Sequence, residues 1–110
     1  MSRPICVIDD DEDVRSVLCF ALEFEGLTPM PFSSGPEAEA ALARLSASEL
    51  PGMIVVDYMM PDMDGVEFIT HMMETYPDSI GMIPMALSTA RFEDETSTLP
   101  ERAFRLEKPV

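Results

Sequence analysis

Apolar and polar positions along the chain fall into a repeated unit. Ile5-Cys6-Val7-Ile8 is an unbroken apolar run, the pattern of a strand buried on both faces. It gives way to Asp9-Asp10-Asp11-Glu12-Asp13. Val14, Val17, Leu18, Ala21 and Leu22 then recur at helical spacing as far as Gly26, a residue suited to a helix end. Met53-Ile54-Val55-Val56 repeats the strand pattern and stops on Asp57. A loop with Pro61 and Gly65 follows, and then a helix with Val66, Ile69, Met72 or Met73, and Tyr76 on its inner face. Between these units, Leu27 to Phe32 predicts a short strand. Pro29 and Pro31 remove two ladder donors, so this strand belongs at a sheet edge. Ser33-Ser34-Gly35-Pro36 reads as a cap with an early-helix proline, ahead of a stripe of Ala38, Ala41, Leu42 and Leu45. Met82 to Leu87 predicts a fourth strand ending on Ser88-Thr89, and Phe104 to Glu107 a short fifth one ending on Lys108-Pro109.

Strands alternating with helices imply an α/β fold: a parallel sheet with helices on both faces. In such sheets the working residues lie just past the carboxyl ends of strands. Asp9 and Asp10, Asp57, Thr89 and Lys108 occupy that position on four different strands. At 110 residues the chain has room for one core, so a single domain over 1–110 is expected.

Charge narrows the partners. With 21 acidic against 7 basic residues the net charge is −14, which opposes direct binding to nucleic acid. No apolar run approaches the ~20 residues of a membrane span. The opening Met1-Ser2-Arg3-Pro4 lacks the apolar stretch of a secretory leader, so a cytoplasmic location is expected. Cys6 and Cys19 have no ligand spacing and read as reduced thiols. His71 stands mid-helix with no second ligand at metal spacing and reads as a surface residue. The methionines around Met59, Met60, Met63, Met72 and Met73 read as adaptable core filling.

The strand-end residues have complementary chemistry. Converging carboxylates repel unless a cation neutralises them, and a hard divalent ion, Mg²⁺ or Mn²⁺, suits an all-oxygen set. Asp57 can then attack phosphorus to give an acyl phosphate, with Lys108 and the Thr89 hydroxyl meeting the phosphoryl oxygens. Each feature alone has a plainer reading. An acidic run before a helix is ordinarily a cap, a Ser-Thr pair a turn, and a Lys-Pro a piece of surface. Their joint arrangement is what points to phosphoryl chemistry.

The segments Val7-Ile8-Asp9-Asp10-Asp11, Asp57-Tyr58-Met59-Met60-Pro61-Asp62-Met63-Asp64-Gly65, Ser88-Thr89-Ala90 and Lys108-Pro109 together resemble the receiver domain of two-component response regulators. The resemblance spans essentially the whole chain and weakens after residue 90. It implies a flavodoxin-like, doubly wound five-stranded sheet of order 2-1-3-4-5, an order the proline-bearing second strand independently favours. It also implies Asp57 as phosphoacceptor and Asp10 as direct metal ligand. Asp9 would act through a metal-bound water, and the Met59 backbone carbonyl would be a further ligand. Thr89 takes the role of switch hydroxyl and Lys108 of phosphate-binding lysine. The implied donor is a phosphohistidine on a sensor histidine kinase or a histidine phosphotransfer protein. The chain then catalyses only its own phosphorylation and slow dephosphorylation.

Departures from the family pattern bear on output. Residues 91–98 lack an apolar stripe and Pro100 follows, so the fourth helix is expected to be short or irregular. Arg105 stands at the switch position where the family carries an aromatic, and Phe104 is one residue off, hence on the opposite face. The chain as given ends at Val110, where the family continues into a fifth helix. The expectation is a C-terminally truncated fold with one sheet face bare, which a homodimer would cover. Met59 and Arg91 stand at the positions that, in the family this chain resembles, flank the path of the hydrolytic water, and their side chains predict slow loss of the phosphoryl group. Two other readings stand beside the receiver. One is an aspartyl phosphatase of the haloacid-dehalogenase type, with Asp9-Asp10-Asp11 as its D-x-D. The other is a degenerate receiver that binds partners without phosphorylation.

Overall fold

The computed structural model describes residues 3–89 and 104–107, with side chains over residues 3–88. In chain order the elements are β1 (Ile5–Ile8), α1 (Glu12–Phe24), β2 (Pro29–Phe32), α2 (Gly35–Leu42), β3 (Met53–Asp57), α3 (Gly65–Thr75), β4 (Met85–Thr89) and β5 (Phe104–Glu107). Short 3₁₀ turns at Ala47–Glu49 and Ile80–Met82 precede β3 and β4. The five strands form one sheet of order β2-β1-β3-β4-β5, all pairings parallel, which is the flavodoxin-like topology expected above.

The edge position of β2 follows from its prolines. Thr28 and Phe32 turn their carbonyls toward β1, accepting from Ile5 and Asp9. Residues alternate along a strand, so Pro29 and Pro31 face the open side, where a missing N–H costs nothing. Gly26 ends α1 as anticipated. Its φ of 83° is in the left-handed region, and the Leu27 N–H reaches back to the Leu22 carbonyl at 2.9 Å, closing a Schellman motif.

One face of the sheet is filled. Cys6, Ile8, Ile54, Val56, Met85 and Leu87 pack with Ala38 and Leu42 of α2 and with Phe68, Ile69 and Met72 of α3, all buried. Burial also pushes the Cys6 thiol up to about 12, so it is an inert apolar filler. The other face is thinner among the described residues. No residue of α1 is fully buried. Leu18 and Leu22 are half-buried on the predicted stripe, but Val17 and Ala21 are exposed, as are Phe20 and Phe24. Leu18, Ala21 and Leu22 line an apolar groove against Ile5, Val7 and Val55.

Some expectations are corrected. The fourth strand begins at Met85, not Met82. Gly81 donates to the Tyr76 carbonyl at 2.7 Å and Ile83 to Ile80 at 3.0 Å, which winds the preceding stretch into a turn and leaves Met82 exposed. Pro84 has no N–H for the ladder, so its carbonyl, accepting from Ile54, is the first rung. The inner face of α3 is Gly65, Phe68, Ile69 and Met72. Val66 and Tyr76 are only half-buried, and Met73 lies at the core's margin. Of the clustered methionines Met72 is core and Met60, Met63 and Met73 pack against it, as core filling, whereas Met59 is exposed. His71 is not bare surface: its Nε2 lies 3.0 Å from both carboxylate oxygens of Glu39 on α2. The expected fourth-helix and fifth-helix regions lie outside the described residues. No described helix is long and apolar enough to cross a membrane.

Candidate functional site

The register delivers the acids to one place. Ile8 of β1 lies opposite Val56 of β3, so the next residues, Asp9 and Asp57, emerge side by side at the carboxyl edge, and Asp57 in turn lies opposite Ser88 of β4. Asp9, Asp10 and Asp57 each offer a carboxylate oxygen within 4.8 Å of the other two. Asp9 and Asp57 are 1% and 3% exposed, while Asp10 is exposed, so the cluster has two buried walls and one open side.

A chain of local hydrogen bonds shapes the first acidic arm. Asp9 Oδ1 accepts the Asp11 N–H at 2.9 Å, turning the backbone out of β1. Asp11 is the N-cap of α1, its Oδ1 accepting from the N–H groups of Asp13 and Val14. Arg15, on the same side of α1 as Leu18, reaches back with Nη1 to the Asp9 carbonyl at 2.7 Å. Within the acidic run, then, Asp11 is a cap, whereas Asp9 and Asp10 belong to the cluster. Sequence reasoning missed Arg15. The available signal was a single cation on the inward stripe of a helix that opens with acids.

The second arm depends on a loop closed at both ends. Tyr58 donates to the Ser88 carbonyl at 2.9 Å, and Gly65 donates to the Tyr58 carbonyl at 3.0 Å. Asp64 caps α3 in a reciprocal box with Glu67. Any side chain at position 65 would have its Cβ 2.6 Å from the Asp57 carbonyl oxygen and against Leu87, so glycine is required by close approach. The Met59 N–H stands 3.4 Å from Asp57 Oδ1, a loose contact, and the Met59 side chain projects outward, 71% exposed.

Three oxygens of like charge this close suit a hard divalent cation. Ligands around Mg²⁺ sit at about 2.1 Å in an octahedron, hence about 3 to 4 Å from one another. Thr89 lies in β4, one residue past the partner of Asp57 and opposite Glu107, so its backbone is at the same edge. Arg105 of β5 pairs with Leu87 of β4. The Thr89 and Arg105 side chains, and Arg91 and Lys108 altogether, lie outside the described residues.

Residues 5–101 match the family model described as the response regulator receiver domain. Over 95 residues the chain is 32% identical to the phosphate regulon transcriptional regulatory protein PhoB of Escherichia coli, covering 86% of this chain and 39% of that protein. The chain therefore spans well under half the length of that relative. The N-terminal domain of a response regulator receiver protein from Methanoculleus marisnigri superposes with a TM-score of 0.78 at 27% identity, over 97% of this chain and 85% of the other. The response regulator protein TrrA from Thermotoga maritima, solved in complex with Mg²⁺–BeF, gives a TM-score of 0.75 at 21% identity, over 96% and 86% of the two chains.

Proposed function

The chain belongs to the response regulator receiver family, whose role is phosphoacceptance in two-component signalling, and we propose that Asp57 is its phosphoacceptor. A carboxylate oxygen of Asp57 attacks the phosphorus of a phosphohistidine. The P–N bond breaks, the imidazole nitrogen keeps the electron pair and is protonated, and an acyl phosphate forms on Asp57. The observation that carries this reading is the buried Asp57 carboxylate within 4.8 Å of those of Asp9 and Asp10.

Asp10, Asp57 and the Met59 carbonyl would hold Mg²⁺ or Mn²⁺ directly, and Asp9 through water. When bound, the ion would neutralise charge gathering on the phosphoryl oxygens. The three-carboxylate donor set supports this, as does the Mg²⁺–BeF complex of the Thermotoga protein. Thr89 donates to one phosphoryl oxygen and Lys108 pairs with another. Arg105 occupies the switch position. Met59, exposed at the rim, and Arg91 shield the acyl phosphate from water, so its hydrolysis is slow.

The chain acts as one receiver unit over 1–110 that catalyses only its own phosphorylation and slow dephosphorylation. It works in the cytoplasm, where its cysteines stay reduced. Its donor is a sensor histidine kinase or a histidine phosphotransfer protein. Phosphorylation shifts a conformational or association equilibrium, and this acidic unit does not itself contact nucleic acid. The apolar groove between α1 and the sheet is the face on which a second copy docks.

Incubation with acetyl phosphate and Mg²⁺, read by intact mass, tests the central step. One added phosphoryl group on the wild type, absent from Asp57→Asn and absent without Mg²⁺, is expected. Full labelling of Asp57→Asn would overturn the assignment.

A further inference from the structure

Asp10 is the exposed member of the acidic cluster, and its placement depends on a closed ring of bonds around it. β1 ends at Ile8, so the Asp9 carbonyl lies beyond the last residue of the strand. Arg15 donates to that carbonyl at 2.7 Å, a short charge-assisted bond. The Arg15 N–H also donates to the Asp11 carbonyl at 2.9 Å, while Asp11 N–H returns to Asp9 Oδ1. Asp10 therefore hangs between two peptides that the same helical residue grips from behind. Among the described basic residues, Arg3 bonds the carbonyls of Ala47 and Leu50 and Arg44 follows α2, both toward the other end of the sheet. Arg15 is the described cation beside the cluster.

On the reading that this cluster holds a divalent ion, we infer that Arg15 is a positioning residue: its bond to the Asp9 carbonyl sets the Asp9-Asp10 arm in ion-binding geometry. The alternative role for such a cation is to offset the acids by charge alone. The two roles differ in sign. A cation acting through space competes with Mg²⁺, so its removal tightens ion binding. A cation that orients ligands weakens ion binding when it is lost, and outer-shell partners of this kind typically account for about 10–100-fold in metal affinity.

The test is Mg²⁺ titration by calorimetry of the full chain without phosphodonor, comparing wild type with Arg15→Met, Arg15→Lys and Arg44→Met. Arg15→Met is expected to weaken Mg²⁺ binding about tenfold or more. Arg15→Lys, which keeps a donor on a long stem, recovers most of that loss. Arg44→Met, with the same loss of charge elsewhere, binds as the wild type does. Circular dichroism confirms folding, and if Arg15→Met does not fold, the Lys variant against Arg44→Met carries the comparison through an intermediate loss. Unchanged or tighter binding by Arg15→Met overturns the positioning role while leaving the ion site standing. A wild type with no measurable Mg²⁺ affinity overturns both.

Discussion

A methyl group at position 65 would lie 2.6 Å from the Asp57 carbonyl oxygen and collide with Leu87, so the smallest possible side chain already disturbs the proposed phosphoacceptor. Gly65→Ala must push the start of α3 away from β3, at a cost of about 1–3 kcal/mol in urea unfolding. The same shift moves Asp57 and the Tyr58 peptide it anchors, so acyl-phosphate formation should slow more than tenfold, since small misplacements are costly in positioned reactions. An Ala variant as stable and as quickly labelled as the wild type would show that the close approach is not needed. At this scale the sequence was partly legible. The acids Asp9, Asp10 and Asp57 stand out as residue types at strand ends, and the D-G pair as a helix start. What Gly65 avoids, and what Arg15 grips, are contacts across space, and no local pattern records which carbonyl a long side chain will reach.

Between elements, the least legible feature is the clasp joining α2 to α3. Glu39 accepts from the Tyr76 hydroxyl at 2.8 Å and lies 3.0 Å from His71 Nε2, with Thr75 beside the other ring nitrogen. Glu39 is far in sequence from His71 and Tyr76, so helical periodicity could show only that each had a polar side. Partial burial pushes the Glu39 carboxyl up, but the hydrogen bonds from His71 and Tyr76 outweigh it and hold the group below its ordinary 4.5. The same bond raises the Tyr76 hydroxyl. Because the folded value of Glu39 is depressed, its contribution is fully present above the ordinary carboxylate range and is lost as pH falls through the depressed value. Urea unfolding between pH 6 and 3 should therefore fall less steeply for Glu39→Gln than for the wild type, and parallel curves would exclude the clasp. The displaced start of β4 belongs to this scale too. Met82 and Ile83 are as apolar as a strand requires, and only the turn bonds around Tyr76 and the missing N–H of Pro84 decide otherwise.

For the molecule as a whole, the apolar periodicities sufficed for strands alternating with helices and a parallel sheet, and the prolines of β2 for its place at the edge; the order of the other strands came from the family resemblance. The periodicities overstated the burial of α1. Its stripe was real, but Val17 and Ala21 on it remain exposed, and Leu18, Ala21 and Leu22 only line a groove against Ile5, Val7 and Val55. Two forces then act on any encounter between copies. Apolar area removed from water favours association at about 25 cal/mol per Å², and a standard interface takes about 800 Å² from each partner. A net charge of −14 on each copy opposes it. Salt separates the two terms: the screening length shrinks from about 10 Å at 0.1 M to about 3 Å at 1 M, while apolar burial persists or strengthens. Sedimentation equilibrium of the chain should therefore show a weight-average mass rising from monomer toward dimer as salt increases. Ala21→Glu, which sets a carboxylate into the groove wall, should hold it at monomer throughout. A monomeric mass at every salt concentration, or a dimer indifferent to Ala21→Glu, would remove this face as the site of association.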